Sequence, residues 1–138
     1  MSIGGGGGGG PVGVSNSFTG IAESLEIIGT HCYAYSGQQL VDNNEADLLS
    51  FRTGNFYAVV NIQFNYPSAQ ADDFLYSTYL NDTKVQSYMV DHAKYYGYQN
   101  SFVRIVIPPY TEVRCTASNE GSTTERPIIC SLTGRIYR

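Results

Sequence analysis

Few side chains in this sequence are of a type that could perform catalysis at neutral pH. Only His31 and His92 could act as general bases, and they fall on different predicted elements. His31 is followed by Cys32, but neighbouring residues of a strand point to opposite faces, so these two cannot form a nucleophile and base pair by themselves. Asp91 and His92 stand at a predicted strand end, where such a pair is more often solvated than catalytic. The sequence therefore predicts a protein that is not an enzyme.

Metal and cofactor sites are not indicated either. The acidic residues that could supply oxygen ligands to a hard cation are Asp42, Glu45, Asp72 and Asp73. They lack the ligand spacing of a calcium loop. The cysteines are Cys32, Cys115 and Cys130, an odd number without the CxxC spacing of a zinc or redox site. We expect no metal and no cofactor, and we interpret the cysteines as reduced, buried, small hydrophobic residues.

Length and composition restrict the class of protein and its partners. A chain of 138 residues forms one domain and can bury a substantial core. Charged residues make up only 14% of it, so Asn, Ser, Thr and Tyr must supply much of the surface. The net charge of −4 offers no electrostatic footprint for a phosphate backbone. Nucleic acid and anionic membrane are therefore not expected as partners.

The first part of the chain, residues 1–20, is interpreted as an arm for assembly or anchoring. Its core is a run of glycines between an isoleucine and a proline: Ile3, Gly4, Gly5, Gly6, Gly7, Gly8, Gly9, Gly10 and Pro11. The run lacks the Lys-Ser/Thr of a phosphate-binding loop, and residues 1–10 lack the basic and apolar regions of a secretory signal. A flexible linker is one interpretation. We favour an arm held by close packing against other chains, where only glycine fits, in a protein made in a cytoplasm.

The second part, residues 21–138, is predicted to be a β-sandwich head organised around the stretch Asn55 to Tyr66. Here Phe56, Ala58, Val60, Ile62 and Phe64 place an apolar residue at every second position, which is typical of a half-buried strand. Further strands are predicted at Thr30–Tyr35, Gln38–Val41, Ala46–Phe51, Phe74–Leu80, Lys84–Val90, Phe102–Ile107, Thr111–Ala117 and Ile128–Tyr137, with a short one between Ile21 and Ile28. The fold class is all-β, a jelly roll of about eight to ten antiparallel strands.

Three connections carry specific expectations. Asn81-Asp82-Thr83 should close a tight hairpin, because Asn and Asp tolerate left-handed backbone. Ser36-Gly37 should separate two strands. The segment Ser118–Arg126 should be a long, exposed loop that lets the last two strands fold back on each other, bringing Cys115 and Cys130 together within one sheet or across the core.

The stretch Asp91–Asn100 is predicted to be a loop with a possible contact surface. It holds Tyr95, Tyr96 and Tyr98 around a glycine, and clustered tyrosines supply large, rigid contact area at low entropic cost. Tyrosines that lie over their own domain are an equal alternative.

Several stretches after Thr53 share a pattern with a known family. They are Gly54–Tyr57, Tyr79–Asp82, Ile105–Val113 and Ser131–Tyr137. In order and character they resemble the glycine-aromatic central strand, the Asn-containing hairpin, the apolar strand with its tight turn, and the closing strand of trimeric jelly-roll heads of the complement and tumour-necrosis-factor type. The resemblance implies a homotrimer, since those heads bury an apolar sheet face around a three-fold axis.

Small jelly-roll heads behind a glycine-rich arm also resemble virion proteins of tailed bacteriophages. This resemblance implies a structural virion protein, a capsid decoration or cement protein made in the host cytoplasm and attached to other virion proteins through its arm. The alternative is a receptor-binding or glycan-binding head of a tail fibre, or a cellular trimeric adhesin. Fold does not fix function, so these remain expectations.

Overall fold

The computed structural model describes residues 23–67, 72–91 and 100–138, and every regular element within them is a β-strand. The strands are β1 (Glu26–Ile28), β2 (His31–Val41), β3 (Ala46–Arg52), β4 (Tyr57–Asn65), β5 (Asp73–Leu80), β6 (Thr83–Asp91), β7 (Asn100–Ile107), β8 (Glu112–Asn119) and β9 (Arg126–Tyr137). These ranges contain no helix long and apolar enough to cross a membrane. The all-β prediction is confirmed.

The strands form two antiparallel sheets. The front sheet has the order β1-β2-β9-β4-β7, and the back sheet has the order β3-β8-β5-β6. β2 pairs with β9, β3 with β8, β4 with β7 and β5 with β6, which is the nested pairing of one long hairpin rolled into two layers. The predicted jelly-roll sandwich is therefore confirmed.

The core lies between the sheets, and β4 shows how the sequence produces it. Its side chains alternate, so that one set is fully buried and consists of Ala58, Val60, Ile62 and Phe64. The other set includes Asn61 and Gln63, which are exposed on the opposite side. Phe56, just before the strand, packs against the core while partly exposed. The predicted alternation of the central strand is confirmed, and it assigns one face of the front sheet to the core and the other to the surface.

The hairpin between β5 and β6 is also confirmed. Asn81 and Asp82 have φ angles of 50° and 63°, the left-handed conformation that a two-residue turn between twisted strands requires. Thr83 is not part of the turn, because it already pairs with Leu80 as the first residue of β6.

The prediction that Ser36-Gly37 ends a strand is wrong, because β2 runs through it as a bulge between Tyr35 and Gln38. Gly37 takes a left-handed φ of 67°. The buried Ser36 hydroxyl donates to the Gly37 carbonyl at 2.7 Å and accepts from the Cys130 amide at 2.9 Å. The two backbone groups displaced by the bulge thus keep partners, and the strand continues.

Of the two arrangements expected for the last two strands, the structure shows the one across the core. β8 lies in the back sheet and β9 in the front sheet, so residues between them cross from one layer to the other. Ser118 and Asn119, expected in an exposed loop, are buried at the end of β8. Asn119 donates to the Thr124 carbonyl and accepts from the Gly121 amide, which holds the short connection in place. The apolar faces of β8 and β9 meet across the core instead of within one sheet.

The two strands at the centre of the front sheet approach each other closely at Gly134 of β9. A Cβ atom there would clash with the Val59 carbonyl oxygen and lie 2.7 Å from the Cα of Val60. Only glycine fits this contact between β9 and β4.

Candidate functional site

The side of the front sheet that faces away from the core, here its outer face, is the candidate site. Among the described residues, most of the exposed large hydrophobic side chains lie on front-sheet strands: Ile27, Ile28, Tyr35, Leu40, Tyr57, Phe102, Val106 and Tyr137. The back sheet contributes only Val85 and Met89. Ile27 pairs with the buried Cys32 and lies on the core side of β1, and the other seven lie on the outer face. Exposed apolar residues gathered on one face indicate a contact surface, whereas scattered ones need no explanation.

The middle of the outer face is a polar depression, defined by Asn61, Gln63, Phe102, Arg104, Ser131 and Thr133, with a volume of about 460 Å³. Strand register brings these residues together in two rows. Gln63 of β4 pairs with Phe102 of β7 and with Ser131 of β9. Asn61 pairs in the same way with Arg104 and Thr133. The floor is thus made of amide and hydroxyl groups that can both donate and accept hydrogen bonds.

Aromatic rings flank this floor on both sides. Phe102, on the edge strand β7, is 70% exposed. On the other side, Tyr35 and Tyr33 of β2 pair with Ser131 and Thr133, and their ring centroids lie 5.1 Å apart. Because β2 and β7 are separated by β9 and β4, the two aromatic walls stand about 14 Å apart at the usual strand spacing.

The outer face carries charges of both signs, because Glu26 of β1 pairs with Tyr33 and lies on the same face as the arginines of the sheet. Arg104 lies in the depression, and Arg135 and His31 pair with each other in the next row. Arg135 donates to the Thr30 hydroxyl at 3.2 Å. Within the part of the chain that the structure describes, Arg104 takes part in none of the ion pairs, which involve Arg114 and Arg126.

A second region of the outer face, its apolar end, is defined by Tyr57, Val59, Val106 and Tyr137. Val59 and Val106 are paired across β4 and β7, and Tyr57 and Tyr137 are paired across β4 and β9. The two tyrosine rings stack with centroids 5.4 Å apart and an interplanar angle of 19°. Both rings are nearly half exposed, at 45% and 42%, and Val106 is 57% exposed. This end offers a rigid apolar surface next to the depression.

The outer face of the back sheet is built differently, because its polar side chains bind one another. Glu45 Oε2 accepts hydrogen bonds of 2.6 Å from Tyr79 Oη and from Thr116 Oγ1. The Arg114 guanidinium stacks over the Tyr79 ring at 4.4 Å and forms an ion pair with Asp47 at 3.2 Å. The hydrogen bonds from Thr116 and Tyr79 lower the pKa of Glu45. The hydrogen bond between Tyr79 and Glu45 also raises the pKa of Tyr79.

The structure separates the acidic residues that were considered as cation ligands. Asp72 binds Arg126 at 2.6 Å, Glu45 belongs to the network just described, and Asp42 caps a turn by accepting from the Asn44 amide. No group of potential metal ligands is found in residues 23–67, 72–91 and 100–138. His31 is exposed on β2, with Cys32 buried on the opposite face as expected.

All three cysteines are buried free thiols, which confirms the interpretation of them as small hydrophobic residues. Cys115 and Cys130 come together, as predicted, but they do so across the core from opposite sheets. Burial and a hydrogen bond with Cys115 raise the pKa of the Cys130 thiol well above its ordinary value, and burial raises that of Cys32. A buried thiol with a raised pKa is a poor nucleophile, so none of them indicates reactivity.

Two predicted sites lie outside the described residues: the arm from Ile3 to Pro11, and the loop with Tyr95, Tyr96 and Tyr98, together with His92.

Sequence reasoning did not identify Phe102, Arg104, Ser131 and Thr133 as site residues. It assigned Asn61 and Gln63 to the polar side of the central strand, and that alternation was the available signal. What it lacked was the knowledge that β7 and β9 are the neighbours of β4 and the register in which they pair. A one-residue shift in register would turn each of these side chains to the other face.

Comparison with known proteins identifies no family. No protein-family model matches the chain, and no curated protein matches it. Among solved structures, the fold is similar to the native structure of a family 35 carbohydrate binding module from Clostridium thermocellum. The two share 12% sequence identity over 80% of this chain and 85% of that chain, with a TM-score of 0.40. A likeness this distant says nothing about what the chain binds.

Proposed function

We propose that the chain is a non-enzymatic structural head that works as a homotrimer, with subunits in contact through the outer face of the front sheet. The observation that carries the proposal is the apolar end, where the exposed Val106, the half-buried Val59 and the stacked tyrosines lie side by side. Protein interfaces have cores that are enriched in aromatic residues, and this surface shares that feature, with the charged Arg135 beside Val59 at its margin.

The resemblance to trimeric jelly-roll heads supports the same proposal. Those heads bury an apolar sheet face around a three-fold axis, and this jelly roll has its exposed apolar residues concentrated on one sheet. A closed three-fold ring uses two complementary patches on each subunit, and the apolar end would supply one of them.

The proposed setting is a bacteriophage virion, with the head as a capsid decoration or cement protein. The support for this setting is the sequence, in which the glycine tract from Ile3 to Pro11 precedes a low-charge domain. Deleting residues 2–10 should leave the head folded and abolish attachment to particles, because a glycine arm adds no side chains to a core. A truncated protein that fails to fold, or that still decorates particles at full occupancy, would refute this role of the arm.

The trimer is tested with a matched pair of charge insertions. Val106 and Met89 are similarly exposed, at 57% and 54%, but lie on the outer faces of the front and back sheets. Val106→Lys should raise the concentration for half-assembly by at least about a hundredfold, because an unpaired charge buried at an interface costs several kcal/mol. Met89→Lys should leave assembly unchanged. The measurement is light scattering coupled to size exclusion, from about 1 to 100 μM.

Two results would contradict the proposal. A monomeric wild type over this whole range would remove the trimer itself. A wild-type trimer that Met89→Lys dissociates and Val106→Lys does not would place the contact on the back sheet.

The second candidate is a receptor-binding or glycan-binding head, as on a tail fibre or an adhesin. The observation that favours it is the polar depression, whose amide and hydroxyl floor between aromatic walls suits a ligand rich in hydroxyl groups. A trimeric head could carry this function as well, provided that subunit contacts use the apolar end and leave the depression open. Binding of any oligosaccharide to the wild-type chain, measured by calorimetry, tests it.

A further inference from the structure

The polar depression contains one group that a neutral ligand would leave without a partner. Its floor of Asn61, Gln63, Ser131 and Thr133 can match sugar hydroxyls as donor or acceptor. Arg104 is different, because a guanidinium only donates hydrogen bonds and presents them as a planar fork. The natural complement of that fork is a carboxylate, which can accept two parallel hydrogen bonds.

The surroundings of Arg104 strengthen this argument. Its neighbour on β4 is Asn61, and the row continues through Thr133 and Tyr33 to Glu26 on β1. The carboxylate of this row therefore lies four strands away from Arg104, about 19 Å at the usual strand spacing, which is too far for an ion pair. Arg135, also on the outer face, lies one row away from Arg104. Among the described strands, the charged groups nearest the depression are therefore these two arginines, although the whole chain carries a net charge of −4.

The number of cations also limits the ligand class. Nucleic acids and other polyphosphates are bound by several lysines and arginines that follow the phosphates. Here a single arginine stands in a floor of uncharged polar groups, flanked by Phe102 and by the Tyr33–Tyr35 pair. Aromatic rings present flat apolar surfaces against which the C–H groups of a pyranose can pack. The span of about 14 Å between the two aromatic walls exceeds one sugar ring, which favours an oligosaccharide lying across the strands.

We propose that the polar depression binds an acidic oligosaccharide, with Arg104 pairing with the carboxylate of a uronic acid and Phe102 packing against a sugar ring. This inference rests on the glycan-binding candidate function. The arginine selects for the acid, and the aromatic ring and the amide floor bind any sugar of suitable shape.

The experiment uses the full chain and two probes with the same sugar backbone: tetragalacturonate and its fully methyl-esterified form, in which each carboxylate is replaced by a neutral methyl ester. A hyaluronan hexasaccharide serves as a second uronate probe with different linkages. Calorimetric titration should show that both acidic probes bind at least about tenfold more tightly than the ester, as expected for charge-assisted hydrogen bonds to one arginine.

Three variants assign the effect to residues. Arg104→Gln should remove the preference for the acid and leave ester binding unchanged. Arg104→Lys should retain only part of the preference for the acidic probe, because an ammonium group lacks the planar, bidentate geometry of a guanidinium. Phe102→Ala should weaken the acid and the ester by the same factor. Arg135→Gln is the matched control, an outer-face arginine outside the depression, and should leave the preference intact.

The possible outcomes distinguish a failure of this inference from a failure of the glycan-binding candidate function. If the acid and the ester bind equally, or if Arg104→Gln keeps the preference, the inference is overturned and the glycan-binding candidate stands. If none of the probes binds to the wild-type chain at millimolar concentration, the inference is overturned, and the glycan-binding candidate is overturned with it only if neutral oligosaccharides also fail to bind. Circular dichroism of each variant shows whether a loss comes from unfolding.

Discussion

The outer faces of the two sheets are both exposed, but they differ in how far their polar side chains are paired with one another. On the back sheet, Glu45, Tyr79, Thr116 and Arg114 bind one another through hydrogen bonds of 2.6 Å and a cation–π contact of 4.4 Å. On the front sheet, Arg104 forms no ion pair among the described residues. The large apolar side chains of Phe102 and Val106, on the same strand, are exposed. The back face is satisfied by its own chain, whereas the front face is open to a partner.

This difference shows which face to connect with function. Side chains that are already paired must lose those contacts before they bind anything else, and that loss reduces the affinity gained. Exposed apolar groups carry no such penalty, and neither does an arginine that forms no ion pair within the described part of the chain. The comparison therefore supports the assignment of both the subunit contact and the ligand depression to the front sheet, and the predictions below test it.

The largest effect on stability is expected from Gly134→Ala, which disrupts the pairing of β9 with β4 in the front sheet. The added Cβ would clash with the Val59 carbonyl and lie 2.7 Å from Val60 Cα. Forcing β9 away from β4 should lower the free energy of unfolding by about 3 kcal/mol, as measured by urea denaturation. Gly54→Ala is the control, because its Cβ would meet only the Phe56 ring, at 3.2 Å, and a ring can shift. Equal losses for the two variants would show that the contact between β9 and β4 has been misjudged.

Replacing both Cys115 and Cys130 with Ala tests the packing of the core between the two sheets. Both side chains are fully buried and meet across the core, so the double variant should lose about 1–3 kcal/mol of packing. Neither outer face contains these residues, and we therefore expect the oligomeric state in light scattering to stay that of the wild type. A change in oligomeric state, or a loss well above this range, would mean that the thiols do more than fill space.

Removing one arginine from each outer face sharpens the comparison directly. Arg114→Gln should lower the free energy of unfolding by about 1 kcal/mol, because it loses the ion pair with Asp47 and the stacking on Tyr79. Arg104→Gln should change it by less than about 0.5 kcal/mol, since no ion pair within the described residues is lost. Thermal denaturation of both variants in the same buffer measures the difference, and the reverse order would refute the assignment of the two faces.

The smallest effect is a pH dependence that belongs to Glu45 on the back face. Hydrogen bonds from Thr116 and Tyr79 lower the pKa of Glu45 in the folded protein below the ordinary value of 4.5. The stabilisation is thus fully present above about pH 4.5 and is lost as the pH falls through the lowered pKa. Because Glu45 is exposed, we expect this stabilisation to be below about 1 kcal/mol.

Glu45→Gln should therefore be less stable than the wild type at pH 7, and the two should converge towards pH 3. Stability curves from urea denaturation at several pH values test this. A gap that stays constant down to pH 3 would show that the carboxylate charge does not contribute.

The sequence by itself determined the strands and which side of each faces inward. The alternation of Ala58, Val60, Ile62 and Phe64 on the central strand is local, because side-chain direction in a strand reverses at every residue. The turn at Asn81-Asp82 is local in the same sense, since its left-handed backbone depends on those two residue types. The burial of the cysteines followed from the apolar faces they share.

Only the tertiary structure decided which strands are neighbours, and therefore what the outer face contains. Ser36-Gly37 appeared to end a strand until the pairing of β2 with β9 showed a bulge closed by the Ser36 hydroxyl. The sequence left open whether the last two strands share a sheet or face each other across the core, and β9 lies in the front sheet, where it pairs with β2 and β4. Phe102, Arg104, Ser131 and Thr133 become one site with β4 only through that arrangement. Pairing between strands far apart in the sequence depends on the packing of the whole sandwich, so no local pattern could reveal it.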